Sequence, residues 1–136
     1  MPKLKQITCS VELGPSRTKL KEYGARYSDG VVESFIAVPD TQVPFCLHVQ
    51  TQGYIAPGLA VFVFMDGQYQ CNRNRLNLPI PGDGVPPTKY EVDFCMRQKE
   101  EKTSGGTFVG RDWSFAQLDT CEMPSDPPAM ATSADA

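Results

Sequence analysis

Seven consecutive apolar residues, Leu59-Ala60-Val61-Phe62-Val63-Phe64-Met65, run directly into Asp66-Gly67. A membrane-spanning helix needs about 20 such residues, so this run cannot be one. It is rich in β-branched and aromatic side chains and stops at a turn signal, which predicts a buried strand. Successive side chains of a strand point to opposite faces. A strand apolar at every position is therefore expected to be covered on both faces, within a layered sheet structure. Asp-Gly supplies the positive φ angles of a type I′ turn, so Gln68-Tyr69-Gln70-Cys71 is expected to return antiparallel to the run.

The remaining segments carry the alternation of half-buried strands. In Gln6 to Leu13, residues Ile7, Cys9, Val11 and Leu13 are expected to face a core, and Gln6, Thr8, Ser10 and Glu12 to face water. Thr18 to Tyr23 reads as an extended edge segment. Val31 to Val38 and Phe45 to Gln50 are expected to pair as a hairpin, with Phe45, Leu47 and Val49 inward. Proline and glycine make residues 79–87 a surface loop. Tyr90 to Arg97 alternates cleanly, with Tyr90, Val92, Phe94 and Met96 on one face. Gln98 to Gly106 reads as a polar loop, and Val109 to Leu118 as a final strand. The fold class that follows is all-β, an antiparallel β-sandwich of about seven to eight strands. It is expected to occupy residues 1–121. Residues 122–136, dominated by Pro, Ala, Ser and Asp, are expected to form a disordered tail.

A chain of 136 residues with 40% hydrophobic content suits one domain. The net charge of −3 comes from Glu122, Asp126 and Asp135, which leave the preceding residues electrically balanced. A balanced body argues against a dedicated nucleic-acid binder. Cys9, Cys46, Cys71, Cys95 and Cys121 show no C-x₂₋₄-C spacing, which argues against a zinc ribbon or a redox pair. Their odd number fits reduced thiols. Residues 1–13 hold no apolar h-region, and no transmembrane stretch is present. The expected location is intracellular, in cytoplasm or nucleus.

Little in the sequence points to catalysis. The single histidine, His48, falls on the polar phase of its strand and reads as a surface residue, because a catalytic histidine needs placed partners. No G-x-S-x-G elbow occurs. Glu91 and Asp93 share a strand face and read as solvated. Asp83, between Gly82 and Gly84, reads as turn chemistry rather than a calcium loop. No catalytic, cofactor-binding or metal-binding residue is assigned. Trp113 reads as a packing centre. One basic cluster stands out: Arg73 and Arg75 leave the hairpin, Arg97 and Lys99 follow the next strong strand, and Arg111 precedes Trp113. Arginine forks match carboxylate and phosphate geometry, so such a patch suits an acidic or phosphorylated protein partner, with Tyr69 as an apolar anchor.

The order of several segments resembles a domain family of filamentous fungi to which no activity is assigned. The carrying segments are Leu20-Lys21-Glu22-Tyr23, Val32 to Pro39, Pro44 to Val49 and Ala60 to Gly67, then Cys95 to Glu101 and Arg111 to Phe115. The resemblance covers residues 5–120. It implies an all-β module without assigned catalytic or binding residues, often followed by a polar C-terminal extension, and so an N-terminal domain of a longer protein. The expected function is a non-enzymatic module that binds another protein through Tyr69, Arg73, Arg75, Arg97, Lys99 and Arg111. One alternative is a homo-oligomer formed through edge strands, with Gln6 to Leu13 and the last strand as candidates. The other is a carbohydrate-binding or carbohydrate-active sandwich. That reading calls for exposed aromatics on one face, whereas Phe45, Phe62, Phe64, Tyr90 and Phe94 fall on phases expected to be buried.

Overall fold

The computed structural model describes residues 3–4, 6–55 and 58–116. Its strands are β1 (Lys3–Leu4), β2 (Ile7–Leu13), β3 (Thr18–Lys19), β4 (Glu22–Ser28), β5 (Val31–Ile36), β6 (Phe45–Thr51), β7 (Gly58–Met65), β8 (Gln68–Leu76), β9 (Asp93–Met96), β10 (Gln98–Lys102) and β11 (Phe108–Asp112). Among the described residues one 3₁₀ turn, Pro87–Lys89, interrupts them. All pairings are antiparallel. No helix among the described residues is long and apolar enough to cross a membrane.

Hydrogen bonds divide the strands into one five-stranded sheet and three hairpins. The sheet runs β1-β2-β6-β9, with β3 also on β2. The hairpins are β4–β5, β7–β8 and β10–β11. The chain is thus all-β and antiparallel, but the ladders do not form two continuous sheets.

The core lies between the five-stranded sheet and the β7–β8 hairpin. Val49 and Met96 come from the sheet, Val63 and Cys71 from the hairpin, and Trp113 follows β11. Ile7, Cys9, Phe45, Leu47, Leu59, Val61, Met65 and Phe94 pack around them. Trp113 is the packing centre its composition suggests. Its ring stacks on Phe45 at 5.8 Å, and its Nε1–H donates to Gln70 Oε1 at 3.0 Å. A buried indole nitrogen needs such an acceptor, because an unmet donor costs about 1–3 kcal/mol.

Asp66-Gly67 does make the tight turn, with φ of 51° and 79°. Several other expectations are corrected. The strand it closes is covered on one face only. Val63 is buried, whereas Phe62 and Phe64 project into solvent. Residues 31–38 and 45–50 do not pair with each other: β5 turns back on β4, and β6 pairs with β2 and β9. The Ser28-Asp29-Gly30 turn is short enough to close β4 on β5 locally, whereas Pro39 and Pro44 keep the next connection extended. The polar segment from Gln98 is a strand, with five residues of β10 paired to β11. The strand expected over residues 90–97 is regular only at Asp93–Met96, because the 3₁₀ turn takes Tyr90 as its cap. The final strand ends at Asp112, after which Ser114 bridges to Pro44. The tail assigned to residues 122–136 lies outside the described residues.

Candidate functional site

The five-stranded sheet has a second face, and it is polar. Directly paired residues point the same way. Ser10 therefore stands beside His48, which stands beside Cys95. Glu12 lies beside Cys46 in the next row, and Gln50 beside Asp93 in the row on the other side. The expectation that Ser10 and Glu12 face water is overturned. Ser10 is 1% exposed and Glu12 2%. His48, expected at the surface, is 8% exposed. The groups of this face cover one another: Arg17 from the β2–β3 turn, Cys46 and His48 all close on Glu12.

Buried polar groups demand partners, and these have them. His48 Nδ1 stands 2.6 Å from Glu12 Oε2, and Nε2 stands 2.6 Å from Asp93 Oδ1. Arg17 Nε donates to the other Glu12 oxygen at 2.8 Å. Gln50 Nε2 donates to Asp93 Oδ2 at 3.1 Å. The imidazole is thus clamped at both nitrogens by carboxylates from the neighbouring strands. Burial works against an ionised Glu12, but hydrogen bonds and positive charge from Arg17 and His48 outweigh it and hold the carboxyl below its usual range. The His48 hydrogen bond also holds the exposed Asp93 carboxyl below its usual range, against slight desolvation and with help from Gln50.

Two thiols adjoin the network. Cys46 Sγ lies 4.0 Å from Glu12 Oε1, and Cys95 stands on the same face beside His48. Burial, with Cys95 and Glu12 close by, pushes the Cys46 thiol up to about 11. A cavity of about 390 Å³ opens beside them, lined by Arg17, Cys46, Cys95, Arg97, Asp112 and Trp113 among others. The four described cysteines, Cys9, Cys46, Cys71 and Cys95, are all free. Little in the spacing of residues 12, 46, 48, 93 and 95 announces this constellation. The one usable signal is Cys46-Leu47-His48, where i and i+2 on a strand share a face.

The basic residues singled out from sequence are only partly brought together. Arg73 pairs with Glu100 at 3.2 Å across β8 and β10. Arg111 pairs with Glu101 at 3.0 Å, with Lys99 3.9 Å from the same carboxylate. Arg75 lies over the Phe94 ring at 4.6 Å. Arg97 lines the cavity instead. Arg73, Lys99 and Arg111 therefore belong to a mixed-charge strip on β8, β10 and β11.

Tyr69 sits in different company. On the outer face of β7–β8, Phe62 is 59% exposed, Phe64 60% and Tyr69 43%. Phe64 and Tyr69 meet edge to face at 5.8 Å. The Asn72 amide donates to the Tyr69 hydroxyl. Ala60 and Asn74 extend the same face along the ladder.

The fold and these surfaces define an antiparallel all-β protein with a buried polar network and exposed aromatics on β7–β8, besides Tyr23, Tyr27 and Phe35 on β4–β5. No family model, no curated protein and no solved structure matches the chain.

Proposed function

We propose that this chain is a non-enzymatic module that works inside the cell by binding another protein through the outer face of β7–β8. The observation that carries this reading is the half-covered strand: Phe62, Phe64 and Tyr69 stand in solvent beside one another. Aromatic side chains are enriched at the centres of protein interfaces, with polar and charged groups around them. The ion-paired strip of Arg73, Glu100, Lys99, Glu101 and Arg111 supplies such a rim beside β8. Charge steers the encounter and fixes register, while the aromatics supply most of the affinity. The Phe64 and Tyr69 rings lie 68° apart, which is not the flat platform on which a sugar ring stacks. The free thiols accord with a reducing compartment.

The test is quantitative capture from extracts of the source organism with the wild-type chain, Phe62→Ser/Phe64→Ser and, as a surface control, Tyr27→Ser. A protein retained by wild type and control but lost with the double variant is the expected result. Equal capture by all three overturns the reading.

One observation favours a second reading, in which the partner is a copy of the chain. Among the described residues β7 pairs only with β8, so its other edge, eight residues long, is open to another strand. The edge first expected for this role, Gln6 to Leu13, is occupied by β6 on one side and by β1 and β3 on the other. Sedimentation of the purified chain separates the readings. A monomer across the accessible concentration range excludes the second.

A further inference from the structure

We infer that Glu12, Cys46, His48 and Cys95 form a binding site for a divalent transition-metal ion of the zinc type. One donor atom each from Glu12, His48 and Cys95 lies within 4.8 Å of the others. Cys46 Sγ, 4.0 Å from Glu12 Oε1 and just outside that trio, is the fourth donor. Two sulfurs, one imidazole nitrogen and one carboxylate oxygen make a donor set suited to tetrahedral zinc. Bonds of about 2.0–2.3 Å place tetrahedral donors roughly 3.3–3.8 Å apart. The Glu12, His48 and Cys95 atoms reach that spacing by shifts of about an ångström, and Cys46 joins them by turning its side chain about χ1.

The surroundings fit a metal as well as the donors do. A ligating histidine normally gives its other ring N–H to a carboxylate, which fixes the ring and raises its basicity. Asp93 already stands 2.6 Å from His48 Nε2, which leaves Nδ1 as the ligating atom. Two thiolates and a carboxylate around a dication leave one net negative charge. The Arg17 guanidinium on the second Glu12 oxygen offsets it. Across the ladder from His48, the buried Ser10 hydroxyl has no hydrogen-bond partner among the described residues, an orphan polar atom in the same row. All four donors sit on adjacent paired strands, β2, β6 and β9, which is a rigid mounting. The cavity lined by Cys46, Cys95 and Arg17 provides an entry path. The ion takes the place of the proton between Nδ1 and Glu12 Oε2, and protons displaced from the ligands leave to solvent.

The experiment is anaerobic titration of the reduced full chain with Co²⁺, read by thiolate-to-cobalt charge-transfer absorption and followed by displacement with Zn²⁺. One equivalent of Co²⁺ is expected to bind with the charge-transfer band and to be displaced by stoichiometric Zn²⁺. Cys46→Ser and Cys95→Ser are each expected to weaken binding by at least about tenfold, and Asp93→Asn by about 10–100-fold. Cys9→Ser, on the opposite face of the sheet, leaves it unchanged. X-ray absorption of the zinc-loaded wild type needs no variant to fold, and is expected to show two sulfur neighbours and a shell of lighter atoms. A wild type that takes no metal while both thiols remain titratable overturns the site. So does a zinc spectrum without sulfur, or an affinity unchanged in both cysteine variants.

Discussion

Glu12 carries the largest share of the polar chemistry at the scale of single residues. It accepts from Arg17, meets His48 and adjoins Cys46, all at 2% exposure. Removing one member of a buried charge network leaves the others uncompensated. Glu12→Ala is therefore expected to destabilise the chain by about 3–5 kcal/mol in urea unfolding. Acid should act through the same residues. The carboxyls of Glu12 and Asp93 are both held below their ordinary values of 4.5 and 3.8. The unfolded chain binds protons more readily at these two positions, so their contribution is fully present above those ordinary values and is lost as pH falls through the lower folded ones. Thermal stability measured from pH 7 downward should hold above about pH 5 and then decline. The decline should be shallower in Glu12→Gln, which has no carboxyl to protonate at position 12. His48 and Glu12 were not legible as partners in the sequence. Alternation marks Ser10, Glu12 and His48 as the wet face of their strands, and that inference holds only for strands with one covered face.

At the scale of elements, the apolar run shows how far periodicity reaches. Its strand character, its turn and its return strand follow from residues 59–71 alone, because β-propensity and Asp-Gly chemistry are local. Its exposure does not, because nothing local distinguishes a face covered within the chain from one covered by something else. The two faces should respond differently to substitution. Met96→Ala, opposite the run in the core, is expected to cost about 2–5 kcal/mol in chemical unfolding, whereas Phe64→Ser should change stability by no more than about 0.5 kcal/mol. Equal losses would mean that the outer face is covered within the chain. At the turn, Gly67 has φ of 79°. A Cβ there meets no neighbour, so Gly67→Ala tests backbone strain alone and is expected to cost about 1–2 kcal/mol. The β10–β11 hairpin is not legible in the sequence because Gln98 to Lys102 is polar or charged at every position. Its pairing to Phe108–Asp112 is stabilised by the ladder and by Gln98–Asp112 and Glu101–Arg111 contacts rather than by apolar alternation.

At the scale of the whole molecule, the β7–β8 hairpin has one closed face and one open one. The five-stranded sheet and β7–β8 enclose the core, while the outer side of β7–β8 exposes aromatics that a self-sufficient fold has little reason to place together. The all-β class was readable because turn signals recur at strand spacing. The division into one sheet and three hairpins was not, since pairing partners are set by long-range packing. The central claim is that Phe62, Phe64 and Tyr69 are a contact surface. Hydroxyl-radical footprinting of the chain, dilute and pure and then in extract of its own source, measures this directly. The account predicts that Phe64 and Tyr69 are oxidised readily in the pure chain and are protected in extract, while Tyr27, on β4, reacts alike in both. Equal oxidation of Phe64 and Tyr69 in the two samples would contradict it.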